Sequence, residues 1–239
     1  MSSTSLTGHL PTIKTACPYD NATKHPFLTA AGEGTLPLPR LALWLAQDRL
    51  YAAHGYPRFI GRLIAAIPYS SEHATISKEE KQNARTLEVL VYCLQNVVRE
   101  VGFFDDLGSV HGFNVNGWKE RKGTRDYLAE MARVSSEGEL FDGLVFLWAM
   151  EKVYLDSWRH VDALTRMKGS AVAPIRELTK NWVSDDFVRF LNDIAELVDA
   201  YDVRPGSERW KRAELIWERV VELEEAFWPL EGEETVLAI

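Results

Sequence analysis

Asp48 and Tyr51 lie three residues apart in Gln47-Asp48-Arg49-Leu50-Tyr51. On a helix this spacing puts a carboxylate and a phenol on one face. A carboxylate accepts hydrogen bonds from amines. The plain alternative is a solvated Asp at the polar edge of an amphipathic helix. Near the other end stand Glu222, Glu224 and Glu225. An acidic helix end explains all three, and spacing alone does not choose among them. A Glu buried against a pocket would instead have a raised pKa, as proton transfer requires. The two cysteines, Cys17 and Cys93, form no CxxC and no His/Cys metal spacing. Cys93, in the apolar run around Val91 and Leu94, reads as a buried core thiol. No Glu-x-x-His pair of a di-iron bundle is present, since Glu72-His73 are adjacent and Arg159-His160 follow Asp156. No metal site is expected.

The chain has 239 residues and a net charge of -8. That charge, with no basic stripe, argues against nucleic acid and an anionic membrane as partners. A chain this long can bury a core without disulfide or metal staples. Most of its 8 Trp, 8 Tyr and 10 Phe are expected in that core. The start, Met-Ser-Ser-Thr-Ser, has no basic and apolar leader pattern. No apolar run reaches the roughly 20 residues of a membrane span. The expected location is cytoplasmic.

Helices must carry these groups. Residues 1–24 hold Ser, Thr, Gly and Pro without periodicity and are expected as a partly disordered arm. One helix is predicted from Pro39 to about Tyr56, broken or kinked at Pro57, with a second piece from Arg58 to Ile67. Ser77 and Glu80 form a capping-box pattern, and the helix behind them is expected to end near Phe104, before Asp105-Asp106-Leu107-Gly108. Further helices are predicted from Thr124 to about Ser135, from Leu140 to about Met167, from Pro174 to Lys180, from Ser184 to about Tyr201, and from Gly206 to Phe227. No alternating run exceeds about four residues. The expectation is an all-α, single-domain bundle of seven to eight helices.

Several segments resemble the TenA/thiaminase II family of the heme-oxygenase-like superfamily. His25-Pro26-Phe27, Gly34-Thr35-Leu36 and Gln47-Asp48-Arg49-Leu50-Tyr51 match its H-P-F, G-T-L and Q-D-x-x-Y opening. Glu224-Glu225-Ala226-Phe227-Trp228 matches its E-x-x-F-W closing motif. Thr124-Arg125-Asp126-Tyr127 and Ser184-Asp185-Asp186-Phe187 are weaker echoes. The resemblance covers about residues 25–230 and implies a TenA-like domain over 25–239. It also implies a helical bundle forming homodimers or homotetramers and hydrolysing aminopyrimidines from degraded thiamin, or thiamin itself.

Residue by residue, the resemblance implies that Asp48 holds the pyrimidine's amino group and ring nitrogen. Tyr51 shares its face, Glu224 shuttles a proton, and Tyr127 and Tyr154 line the pocket. It departs at the family's cysteine nucleophile, which stands four residues before the tyrosine matched by Tyr154. Here that place holds Met150, and a thioether cannot act as a thiolate does. Glu151 follows; a one-residue slip would put its carboxylate there but misplace Tyr154. Trp182 replaces another family tyrosine, keeping a stacking face and losing the hydroxyl.

The resemblance therefore implies a hydrolase without a cysteine nucleophile, closer to a branch that lacks it. Asp48 and Tyr51 would anchor a pyrimidine-like ligand. Met150, Tyr127, Tyr154 and Trp182 would enclose it, and Glu224 with Glu151 would move protons. No cofactor is implied. The alternative is a non-catalytic relative that binds a small heteroaromatic ligand or serves as an oligomeric scaffold. Heme binding is disfavoured, because Pro26 disfavours helix at His25 and His54 lies beyond the Asp48–Tyr51 face.

Overall fold

The computed structural model describes residues 5–169 and 172–239. The longest apolar stretch dictates the middle of the fold. Helix α8, Leu140–Lys168, is buried without interruption from Phe141 to Glu151, which requires neighbours on every side. It packs against α3 (Pro26–Glu33), α10 (Asp185–Asp199) and α11 (Glu208–Phe227). A capping box starts it: Glu139 and Asp142 each accept from the other's backbone N–H. Around this axis stand α4 (Leu38–Leu50), α5 (Tyr56–Ala65), α6 (Lys78–His111), α7 (Lys122–Glu137) and α9 (Ala173–Trp182). No strand forms among the described residues; one isolated antiparallel bridge pairs Trp118 with Ala238. No described helix is long and apolar enough to cross a membrane. The chain is all-α and folds as one domain.

Two predicted starts are seen in atomic detail. Ser77 accepts from the Glu80 N–H at 3.1 Å, and Ser184 from the Phe187 N–H at 3.2 Å. Each satisfies one of the donors a helix start leaves free.

Three expectations are corrected. First, α6 does not stop near Phe104 but runs to His111. Phe104 and Leu107 are buried, so packing carries the helix through the acidic pair. Gly108 allows close approach, since a Cβ there would lie 3.0 Å from the Phe113 carbonyl. The stop comes at Gly112, in the left-handed conformation with φ 70°. Second, Pro57 does not end the helix. A π-helical turn, Tyr51–Gly55, joins α4 to α5 directly before it, and the chain stays helical through Pro57, the regular α-helical ladder being interrupted only in that turn.

Third, the N-terminal stretch does not extend as an arm from Ser5 onward; residues 1–4 lie outside the described residues. It forms α1 (Leu6–His9) and α2 (Tyr19–Thr23). Leu6, Leu10, Cys17 and Ala22 are buried. The segment is stitched to α11: His9 bonds Glu214, the Ala16 N–H donates to Glu218, and Asn21 donates to Glu225. Trp228 Nε1, just past α11, donates to the Ala22 carbonyl at 2.9 Å.

Candidate active site

A cavity of about 300 Å³ opens where the eight helices α4 to α11 meet. Ligand pockets run from roughly 300 to 1,000 Å³, so this one suits a small ring compound. Asp48 and Glu224 both line it, although 176 positions separate them. Glu100 and Glu151 add two more carboxyl groups. Each is held by an aromatic donor. Tyr154 donates to Asp48 Oδ2 at 2.9 Å, Tyr127 to Glu224 Oε1 at 2.6 Å, Tyr56 to Glu151 Oε1 at 2.8 Å and Trp182 Nε1 to Glu100 Oε1 at 2.6 Å. Glu224 Oε2 is buried and has no partner among the described residues. A buried carboxyl oxygen left unpaired is costly unless a ligand uses it.

The π turn decides which tyrosines reach the cavity. In an α-helix, positions five apart lie about 140° apart around the axis. In the turn the Tyr56 N–H instead donates to the Tyr51 carbonyl, closing an i→i+5 loop. Tyr51 and Tyr56 consequently both line the cavity, their rings 5.8 Å apart and edge to face. Tyr51 donates to Met150 Sδ at 3.3 Å.

A buried polar strap holds these elements together. Gln47, beside Asp48, accepts at Oε1 from the Arg121 N–H and the Thr124 hydroxyl, both at 2.8 Å, and donates to the Lys119 carbonyl. Arg121 then donates to the carbonyls of Ala226, Phe227 and Trp228, and to Glu233. A helix end leaves its last carbonyls unpaired, and one guanidinium satisfies them here. Gly123 lets α7 approach this end closely: a Cβ there would sit 2.1 Å from the Ala226 carbonyl oxygen.

Burial governs the electrostatics. It pushes Glu224 and Glu151 up to about 8, and Glu100 up to about 7. Burial, and then the Glu100 charge, hold Asp48 well above the usual carboxylate range. Several like charges in one buried cluster cannot all ionise freely. Near neutral pH the cavity therefore offers both protonated and ionised carboxyls, the pairing that general acid–base chemistry needs.

A sequence model of the TENA/THI-4/PQQC family matches residues 14–233. The chain belongs to this family. A Glycine max relative, named a probable bifunctional TENA-E protein, is 22% identical over 212 residues, covering 88% of this chain and 86% of that protein. A TenA homologue from Pyrococcus furiosus has a TM-score of 0.73 at 21% identity, over 88% of this chain and 92% of its own. A candidate tena-like thiaminase from Sulfolobus solfataricus has a TM-score of 0.63 at 14% identity, over 92% and 91%. The bundle is the heme-oxygenase-like fold of TenA proteins.

Within this TenA fold, the eight residues that the resemblance assigned to the site all line this cavity: Asp48, Tyr51, Tyr127, Met150, Glu151, Tyr154, Trp182 and Glu224. Trp148 does not line it but packs on Trp217, ring centroids 5.6 Å apart. Cys93 is fully buried, as a core thiol would be, yet it also forms cavity wall. Cys17 lies elsewhere and donates to Glu225 at 2.9 Å.

Sequence reading missed Glu100 and Tyr56. Glu100 had a readable signal. Buried Cys93, Val97, Phe104 and Leu107 follow a four-three spacing that places position 100 on the same stripe. A carboxylate on an apolar stripe points inward. Tyr56 had none, because its direction depends on the π turn.

The histidines weighed for heme stand apart. His25 is buried and its Nδ1 accepts from the Phe27 N–H at 3.1 Å, capping α3, while His54 is exposed. No group of His, Cys, Asp and Glu arranged to hold a metal occurs among the described residues.

Proposed function

We propose that this cavity hydrolyses the exocyclic C–N bond of an aminomethyl-pyrimidine or a related thiamin-derived fragment, without a cysteine nucleophile. The observation that carries the reading is Glu224. Its Oε1 is fixed by Tyr127 while its buried Oε2 is unpaired, in a cavity shared with Asp48. The ring lies against Asp48, whose carboxyl accepts from ring and amino N–H groups. Tyr51, Tyr154 and Trp182 enclose it.

One of Glu224 and Glu151, ionised, takes a proton from water as the water oxygen bonds to the methylene carbon. The other, protonated, gives its proton to the departing nitrogen as the C–N bond breaks. An amine and a hydroxymethyl ring result, and the two carboxyls have exchanged protonation states. The reading needs no metal or organic cofactor. The name of the Sulfolobus relative, a candidate tena-like thiaminase, supports a thiamin-linked substrate.

A scaffold role would draw support from Met150 in the nucleophile's place. A pocket filled by Met150 and Trp148 would favour it, but the space beside Met150 is open and Trp148 faces Trp217. Incubating the protein with aminomethyl- and formylaminomethyl-pyrimidines and thiamin, with products read by mass spectrometry, tests the proposal. A hydroxymethyl product is expected from at least one pyrimidine, and no product from any of them overturns it.

A further inference from the structure

Glu100 has no place in the proton transfers above, yet it occupies the cavity wall. It stands on the buried stripe of α6, where Val97 and Phe104 flank it. Its Oε1 accepts from Trp182 Nε1, and the Trp182 ring meets Tyr154 edge to face at 5.1 Å. Tyr154 in turn donates to Asp48. Two carboxyls, Glu100 and Asp48, are thus braced by two touching rings on one side of the cavity. Glu100 is also the foremost charge acting on Asp48. Arg99 also lines the cavity and its charge acts on Glu100, but it is exposed and donates to Asn96; the remaining lining carboxylate, Asp186, is exposed and paired with Arg189. Glu151 and Glu224 also line the cavity, and Glu224 presents its unpaired buried oxygen.

Two like charges in a largely buried pocket repel unless a cation joins them. A flat ring with an amidine edge, carrying one positive charge spread over adjacent N–H groups, relieves that repulsion and supplies donors to both carboxyls. A neutral ring of the same shape does not. We propose that Glu100 acts with Asp48 as a cation-selecting wall, so that the cavity takes flat ligands with an amidinium-type edge over neutral isosteres. This rests on the reading of Asp48 as the ring anchor.

Benzamidine and benzamide test it, having one shape and differing in charge. Calorimetric titration at pH 8 should show the native protein preferring benzamidine. Glu100→Gln keeps an acceptor for Trp182 Nε1 and removes the charge. It should erase about ten- to hundredfold of that preference, the range expected for one charged hydrogen bond, with benzamide affinity unchanged. Glu100→Asp should restore part of it, which a purely structural role for position 100 would not predict. Equal affinity of the native protein for both probes, or no binding of either, overturns the proposal. So does a Glu100→Gln protein that keeps the full preference. If that variant fails to fold, the preference in Glu100→Asp decides: a ratio equal to the native one overturns the proposal, and a reduced one supports it. Asp48→Asn separates the two readings. Preference lost only in Asp48→Asn leaves the anchor and removes Glu100 from the wall. Preference lost only in Glu100→Gln keeps Glu100 and removes the anchor.

Discussion

Tyr127 donates to Glu224 Oε1 at 2.6 Å, and this bond fixes which oxygen of Glu224 remains to act. Glu224→Gln keeps the shape and an acceptor for Tyr127 but cannot carry a proton. Turnover should fall by about 10²–10⁴-fold, the usual range for general acid–base catalysis, while ligand binding survives. Steady-state kinetics beside a binding titration measure both, and unchanged kcat would remove Glu224 from the chemistry.

Asp48→Asn should act on the other parameter. The amide sets a donor against the ligand's amino group, so binding should weaken by about 1–3 kcal/mol, the typical cost of unpaired buried polar groups. The loss should appear in KM with kcat retained. A variant of native melting temperature and native KM would take Asp48 out of the anchor role.

The raised carboxyls make stability depend on pH. A folded-state pKa above the unfolded value means that the native protein binds more protons over the interval between them. Glu224 and Glu151, at about 8 against 4.5 unfolded, contribute stability that is full below about 4.5 and is lost as pH rises through 8. The ligand-free protein should therefore melt at a lower temperature at pH 9 than at pH 6. The double variant Glu224→Gln, Glu151→Gln should show a flatter profile by calorimetry, and an identical slope would contradict this origin.

Cys93 lines the cavity, but burial pushes its thiol well up, and a thiolate is the reactive form. Cys93→Ser should keep native turnover within about threefold, as expected for a wall residue outside the proton transfers. The same assay on the native protein should show slow inactivation by alkylating agents. Rapid inactivation abolished by Cys93→Ser would make this thiol a participant.

Gly123→Ala tests the seam between α7 and α11. Its methyl would meet the Ala226 carbonyl oxygen at 2.1 Å, and backbone cannot yield as a flexible side chain does. We expect a destabilisation of about 1–3 kcal/mol or more, the range for overpacking. Because the shift would part Tyr127 from Glu224, activity should fall more than Tm alone explains.

Much of this architecture can be read from the chain, for identifiable reasons. Ser77 and Ser184 announce helix starts because a hydroxyl cap is a local device. The motif residues Asp48, Tyr127 and Glu224 stand in segments whose resemblance to TenA proteins survives divergence. The unreadable parts depend on distant contacts. Gly108 looks like a helix stop until Phe113 and Val115 are seen packed on it. The N-terminal segment lacks periodicity because α11, more than its own sequence, holds it in place. Glu100 lies between the two cases, its position legible and its partner Trp182 not.

The π turn also bears on how this chain is compared with its relatives. It stores one extra residue inside a continuous helix, so α4 and α5 keep separate phases. Asp48 is timed by the first, while Phe59, Ile60 and Leu63 of the buried face are timed by the second. A gap-free alignment across positions 51–56 to a relative with a regular helix would score one half correctly and shift the other by a residue. Shortening the loop-out by one residue, at Ala53 for example, would turn the face of α5 through about 100° and carry Phe59 out of the interior.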